Sequence, residues 1–198
     1  YYTGNPIREE LLQGDKTLGY KLCGFSDNNS LPVLLVIGGS SGAKRINDIL
    51  EQTVEELIKT FNIIHITGKN KKLNFSHPNY CSFEFVSDDL KHIFAITDLV
   101  ISRAGANAIF EFLALQKPML LIPLEIGSRG DQLLNAKYLE AQGWALMIQE
   151  THLSIENLIN KINQLKQNAS NIREAQKNSF SNEYTINSIL DILKKYMI

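Results

Sequence analysis

The sequence predicts an α/β fold, a doubly wound parallel sheet of about six strands with helices on both faces and further helices at the C-terminal end. Three observations predict it. Short apolar runs alternate with longer stretches whose apolar residues recur every three or four positions, the pattern of successive βαβ units. Turns rich in glycine and small residues sit where an apolar run gives way to helical period. Beyond Ser154 the pattern is purely helical.

The first run, Val33 to Ile37, ends at Gly38-Gly39. After it, Ile46, Ile49, Leu50, Val54, Leu57 and Ile58 form one apolar stripe on a helix of about five turns. Strands are predicted at Ile63 to Thr67 and Ser82 to Val86, a short helix at Asp89 to Ile96, and a strand at Leu99 to Ser102. Gly105 to Leu115 reads as a helix that ends before Lys117-Pro118, because proline disfavours a helical residue before it. A strand at Met119 to Ile122, a loop at Pro123 to Gly130, a helix at Asp131 to Gln142 stopped by Gly143, and a last strand at Ala145 to Ile148 complete the alternation. Ser154 is placed to cap a helix with Leu158, Ile162 and Leu165 on one face. Ile186, Ile189, Leu190 and Leu193 form another amphipathic helix, and its apolar side needs a partner.

Composition narrows the functional classes. With 198 residues, 44% hydrophobic and 21% charged, the chain can build one well-cored domain, which excludes disordered and fibrous classes. Twenty basic against 21 acidic side chains leave a net charge of −1, so no global field gathers nucleic acid or an anionic bilayer. A polyanionic partner must be met locally. Cys23 and Cys81 stand in no metal-ligand or redox spacing, which reads as two free thiols in a reducing compartment. His65, His77, His92 and His152 show no HxxH or HExxH spacing and support no metal site. No GxSxG elbow offers a hydrolase nucleophile, and Lys69, Lys71 and Lys72 read as a solvated basic tip. Apolar runs such as Met119 to Pro123 fall far short of the ~20 residues that span a bilayer. The opening Tyr-Tyr-Thr-Gly-Asn-Pro, without an initiating Met, predicts a segment of something longer.

In a doubly wound sheet, ligands lie beyond the carboxyl ends of the strands, so the strand-to-helix loops are where chemistry is expected. Gly38-Gly39-Ser40-Ser41-Gly42-Ala43 joins a strand to a helix, where glycines allow backbone N–H groups to approach an anion at the positive helix end. It matches neither the P-loop nor the dinucleotide fingerprint, and a tight turn with Ser40 or Ser41 capping the helix is the alternative. Ser102-Arg103-Ala104-Gly105-Ala106-Asn107 repeats the design, and Glu111 follows about one and a half turns into the helix, where a carboxylate can accept hydrogen bonds from ribose hydroxyls. A solvated helix glutamate is the plainer reading. The third loop, Glu125 to Gln132, is rich in donors and acceptors, and the Gln132 amide suits sugar hydroxyls, although a merely polar loop with Asp131 near the helix start fits as well.

Together, Thr3-Gly4-Asn5-Pro6-Ile7-Arg8, then Gly38 to Ala43 with Ile46-Asn47, then Ser102 to Ala106 through Glu111, and Gly130-Asp131-Gln132 with Asn135-Ala136, resemble the peptidoglycan N-acetylglucosaminyltransferase family. The similarity runs from Tyr1 to about Gln149 and continues more weakly through the helical tail. The resemblance implies the Rossmann-like, donor-binding C-terminal half of a two-domain GT-B enzyme. It implies transfer of N-acetylglucosamine from UDP-N-acetylglucosamine, with inversion, to undecaprenyl-diphospho-muramoyl-pentapeptide, at the inner face of the cell membrane and without a metal or other cofactor. Acceptor contacts, the base and the membrane surface belong by the same resemblance to the N-terminal half. Residues 1–14 are then an interdomain linker, 15–168 the UDP-sugar-binding domain, and 169–198 helices packing toward the other half.

The resemblance also assigns site residues. Arg8 faces the donor from the domain junction, Ser40 contacts the diphosphate, and the main chain at Val86 meets the uracil. Ala106 and Asn107 line the diphosphate and sugar through backbone groups, Glu111 holds the ribose, and Gln132 reads the sugar hydroxyls. Many relatives carry glutamine where Asp131 stands, which leaves the role of Asp131 open. Two other readings remain at this point, the donor half of a glycolipid-forming transferase and a non-catalytic nucleotide-sugar-binding subunit.

Overall fold

The computed structural model describes residues 4–26, 30–39, 43–125, 130–177, 179 and 181–196. Six strands, β1 (Val33–Ile37), β2 (Asn62–Ile66), β3 (Tyr80–Phe83), β4 (Leu99–Ser102), β5 (Met119–Leu121) and β6 (Ala145–Met147), form one sheet in the order β3-β2-β1-β4-β5-β6. Every pairing in it is parallel. The order reverses between β1 and β4, the two central strands, and this is the switch point at which such sheets open a crevice. The sheet is covered on both faces, so β1 is a continuous apolar run rather than an alternating one, with Val33 to Val36 wholly buried.

The alternation of side chains along each strand divides the core in two. Leu34, Val36, Ile63 and Ile101 meet α2 (Lys44–Leu57) and α6 (Ile155–Gln176) on one face. Val33, Leu35, Ile64 and Val100 meet α1 (Lys16–Cys23), α3 (Leu90–Ile96), α4 (Ala106–Ala114) and α5 (Asp131–Ala141) on the other. The six expected strands are present, and α2 is 14 residues, about four turns rather than five. The final helix is α7 (Asn182–Tyr196). No described helix is long and apolar enough to cross a membrane.

Three features differ from the sequence pattern. The pattern gave no helix before Val33, yet a 3-10 turn at Glu9–Leu12 and then α1 precede it. Asp15 caps α1 by accepting from the Leu18 N–H, and Gly24 ends it in the left-handed conformation. Gly14 and Gly19 lie so close to α3 that a Cβ would stand 2.0 Å from the Lys91 carbonyl oxygen and 2.3 Å from that of His92. Second, β3 runs Tyr80–Phe83, so Val86 lies past the strand, in the turn before α3. The cause is the neighbour: β2 turns away at Gly68, with φ 85°, after the Gly68 N–H bonds the Glu84 carbonyl, and nothing is left to pair with Val86. Third, α6 runs unbroken across 168 and 169, where the terminal helices were expected to begin. Ala169 and Ile172 continue the buried stripe of Leu158, Ile162 and Leu165, so the helix stays on this sheet to Gln176.

A buried polar chain joins α2 to the sheet. The Thr67 carbonyl can only accept, so the Asn47 amide turns Nδ2 toward it at 2.9 Å and Oδ1 toward His65 Nε2 at 3.0 Å. His65 Nε2 therefore carries the proton, and Nδ1 accepts from the Tyr80 hydroxyl at 3.0 Å. Burial pushes His65 from 6.5 down to about 4. Between those values the unfolded chain binds a proton that the folded chain refuses, so stability falls as pH drops through the window, by about 3 kcal/mol in full. Urea midpoints measured from neutral pH down to pH ~4 should show this loss, and a His65→Gln chain should show a flatter profile.

Candidate functional site

At the carboxyl ends of β1 and β4, Gly38, Gly39 and Ala43 on one side and Arg103 and Gly105 on the other frame a cavity of about 630 Å³, a size suited to a small organic ligand. Gly38, Gly39, Lys44, Arg103, Gly105 and Gln132 are among its walls. Three helices start around this end of the sheet, and their N-cap residues are Ala43 for α2, Gly105 for α4 and Gly130 for α5. None of the three offers a side-chain acceptor to the first-turn N–H groups. Helices α1 and α6, which do not line the cavity, are capped by Asp15 and Ser154. Among the described residues, helix starts without a side-chain cap thus gather at this cavity, where positive helix ends favour an anion, although α3, which Asp89 does not cap through its side chain, starts without lining it.

The turn after β1 depends on Gly38, where a Cβ would come 2.4 Å from the Ala43 nitrogen. Gly39 has φ 83°, which suits glycine. Ser40, Ser41 and Gly42 lie outside the described residues, as do Thr3 and residues 126–129.

Ala106 and Asn107 open α4 and are exposed. Asn107 Oδ1 accepts from Asn5 Nδ2 at 2.7 Å, and about one turn later Glu111 Oε1 lies 3.4 Å from Arg8 Nη2. The segment before α1 is therefore laid along α4. The Glu111 carboxylate is 18% exposed and Arg8 is half exposed. Burial raises the Glu111 pKa above its ordinary value, against a smaller lowering by the Arg8 charge and hydrogen bond.

Gln132, in the first turn of α5, accepts from the Leu124 N–H through Oε1 at 3.0 Å. That bond fixes the orientation of the amide and leaves its two N–H groups as donors for a ligand. Asp131 is the exposed first residue of α5. Asn135 Nδ2 donates to the Ala104 carbonyl at 3.1 Å, and Ala136 is wholly buried, so the paired Asn-Ala spacing sets α5 against the β4 turn.

The structure thus brings Arg8, Asn107 and Glu111 together along α4, and Gln132 with Gly105 at the cavity. Val86 is half-buried in a turn after β3 and is not among the residues lining that cavity.

Sequence reasoning gave no role to Arg103 or Glu150. Arg103 donates to the Ile122 carbonyl at 3.0 Å and to Glu150 Oε1 at 2.6 Å, while the Glu150 N–H donates to Glu125 Oε1 at 3.0 Å. This set ties together the ends of β4, β5 and β6. Arginine in a turn of small residues was the available signal for the first of them. Glu150 had none, because its partner is 47 positions away.

The model of the glycosyltransferase family 28 C-terminal domain matches residues 33–192. The UDP-N-acetylglucosamine–N-acetylmuramyl-(pentapeptide) pyrophosphoryl-undecaprenol N-acetylglucosamine transferase of Clostridium tetani is 46% identical over 198 residues, covering 98% of this chain and 54% of the relative. Its counterpart in Clostridium botulinum strain Kyoto is 47% identical, with 98% of this chain and 55% of the relative covered. The chain spans about half the length of the curated relatives it matches. Among solved structures, MurG of Acinetobacter baumannii superposes with a TM-score of 0.71 at 23% identity, covering 86% of this chain and 54% of that one. The glycotransferase of kitacinnamycin gives 0.74 at 16% identity, covering 98% and 48%. Those two likenesses concern the fold, that of one half of a GT-B glycosyltransferase. The family match covers most of the chain and includes the crevice turns after β1 and β4, so this chain belongs to the glycosyltransferase family 28 C-terminal domain family.

Proposed function

We propose that this chain is the donor-binding half of an inverting transferase that moves N-acetylglucosamine from UDP-N-acetylglucosamine to undecaprenyl-diphospho-muramoyl-pentapeptide in peptidoglycan synthesis. The observation that carries the reading is the set of three helix starts with no side-chain cap around one crevice at the switch point. The names of the Clostridium relatives supply donor and acceptor.

In this reading the pyrophosphate lies between the turns after β1 and β4, with Ser40 and the main chain of Ala106 and Asn107 around it. Glu111, held by Arg8, accepts from the ribose hydroxyls. Gln132 donates its amide N–H groups to sugar hydroxyl oxygens, and the Val86 main chain meets the uracil. An acceptor hydroxyl oxygen bonds to the anomeric carbon from the face opposite the pyrophosphate, the bond from that carbon to the phosphate oxygen breaks, and UDP departs with the electron pair. Negative charge grows on the leaving oxygen, where the orphan N–H groups stabilise the transition state more than the ground state. The base that takes the hydroxyl proton, the acceptor contacts and peripheral attachment to the inner membrane face are assigned to the other half of the relatives' length. Residues 1–14 are the link to that half. Helix α7 packs against it, since of its described residues only Thr185 is buried and Leu190 and Leu193 are 46% and 51% exposed.

Calorimetric titration of the chain with UDP-N-acetylglucosamine tests the donor site. Glu111→Ala and Gln132→Ala should each weaken binding by about tenfold or more, the effect of losing a hydrogen bond in a charged site. Equal affinity in all three proteins would remove the assignment.

A further inference from the structure

The first turn of a helix carries the positive end of the peptide dipoles, which favours carboxylates and disfavours ammonium groups. Helix α2 nevertheless begins Lys44-Arg45 and has no acidic residue in its first turn. Lys44 Nζ donates to Asp48 Oδ2 at 2.6 Å, four residues on. With the cation nearer the N-terminus, that order is the weaker of the two for a helix. Helix stability therefore does not explain the pair. Its place in the fold does, because Lys44, Arg45 and Asp48 all line the crevice. The Lys44 and Asp48 side chains are 81% and 42% exposed, so water can replace either partner and the pair parts readily. Arg103, another cation on the crevice wall, is instead committed to Glu150 and to the Ile122 carbonyl. Asp48 also borders a second cavity of about 450 Å³, whose walls include Lys71 and Lys72, so its carboxylate keeps other cations around it when Lys44 turns away.

We propose that Lys44 is a pyrophosphate-binding residue and Asp48 its resting counter-ion: when the donor enters, Lys44 Nζ leaves the Asp48 carboxylate and donates to a pyrophosphate oxygen. The inference rests on the donor-binding reading above and adds a side-chain cation to the main-chain N–H groups. A pyrophosphate carries more charge than one carboxylate. In the crevice, moreover, the contact is screened less by water and salt than on the open flank of α2, so the exchange runs toward the donor. When the bond to the anomeric carbon breaks, the electron pair left on the phosphate oxygen adds charge that Lys44 already faces, and the contact strengthens in the transition state. Asp48 opposes the exchange from both sides, since it holds the ammonium before the donor arrives and repels the anion afterwards.

The test is NMR titration of the chain with UDP and with uridine, which lacks the phosphates. Lys44→Met should weaken UDP binding by about tenfold and leave uridine binding unchanged. Asp48→Asn should tighten UDP binding by about threefold, and by less when Lys44→Met is already present, because only a lysine has a resting partner to leave. High salt should narrow the gap between the parent and Lys44→Met. The proposal is overturned if Asp48→Asn fails to tighten UDP binding, or if Lys44→Met weakens uridine as much as UDP. Should the parent bind UDP and lose it with Glu111→Ala, while Lys44→Met binds as the parent does, this inference alone falls. A parent chain that binds no UDP overturns the donor reading and this inference together.

Discussion

Replacing Gly38 with alanine is expected to weaken binding of UDP-N-acetylglucosamine by about a hundredfold or more, by displacing the first turn of α2 from the crevice. The added Cβ would stand 2.4 Å from the Ala43 nitrogen and 2.6 Å from its Cβ. Ala43 has nowhere to go: its carbonyl accepts from the Asn47 N–H at 2.9 Å, and the Asn47 side chain is held by Thr67 and His65. The turn must then open, and in the proposed donor site two or more N–H groups that meet the pyrophosphate would go with it. At about 1.5–3 kcal/mol for each hydrogen bond to a charged group, two lost contacts account for the expected factor. Gly39→Ala is the informative companion. Gly39 has φ 83° but no atom within 4 Å of a built Cβ, so alanine there costs about 1–2 kcal/mol of backbone strain without blocking the turn. Calorimetric titration should rank the two with Gly38→Ala far weaker, while melting temperatures show that both fold. Equal affinities would mean that the close approach at Gly38 is not what presents the helix end to the donor.

What the sequence made legible was whatever is decided by a few consecutive residues. The apolar run from Val33 to Val36 and the glycines after it have the same meaning in any doubly wound sheet, because burial on both faces removes alternation and a tight turn needs glycine. Convergence of the turns at Gly38, Gly105 and Gly130 followed from topology, since all leave the same end of a parallel sheet. What stayed hidden depended on a second segment. Helix α1 has eight residues with Gly19 among them, which reads as a weak helix until the His92 carbonyl is found where a side chain would be. The end of β3 is set by Gly68, just past the neighbouring strand β2, which the residues around Val86 do not reveal. The boundary at 169 came from the resemblance and not from the helical pattern beyond Ser154, and Ala169 and Ile172 keep residues 169–176 on the sheet. The residues proposed for the donor site follow the same division, with Glu111 and Gln132 marked by their own turns and helices and the meeting of Arg8 with Glu111, 103 positions apart, visible only in the fold.

Arg103→Ala is expected to lower stability by about 3–5 kcal/mol, the cost of removing one member of a buried ion pair and leaving the other unpaired. The Arg103 and Glu150 side chains are 11% and 20% exposed, so solvent can do little for the carboxylate left behind. The Ile122 carbonyl also loses its donor, and the Glu125 to Glu150 contact loses the group that aligns it. For a chain of this length the melting temperature should fall by about 10 °C. Arg103→Lys should recover part of the loss, since an ammonium can neutralise Glu150 but cannot fork to reach the Ile122 carbonyl as well. The double replacement Arg103→Met with Glu150→Leu should recover more stability than the lysine does, because two apolar side chains leave no buried charge to desolvate. It should nevertheless bind UDP-N-acetylglucosamine less well than the parent, since the bonds that hold the ends of β4, β5 and β6 around Gln132 would be gone. A double variant that melts as low as Arg103→Ala would show that the fork to Ile122, and not the charge on Glu150, holds these turns in place.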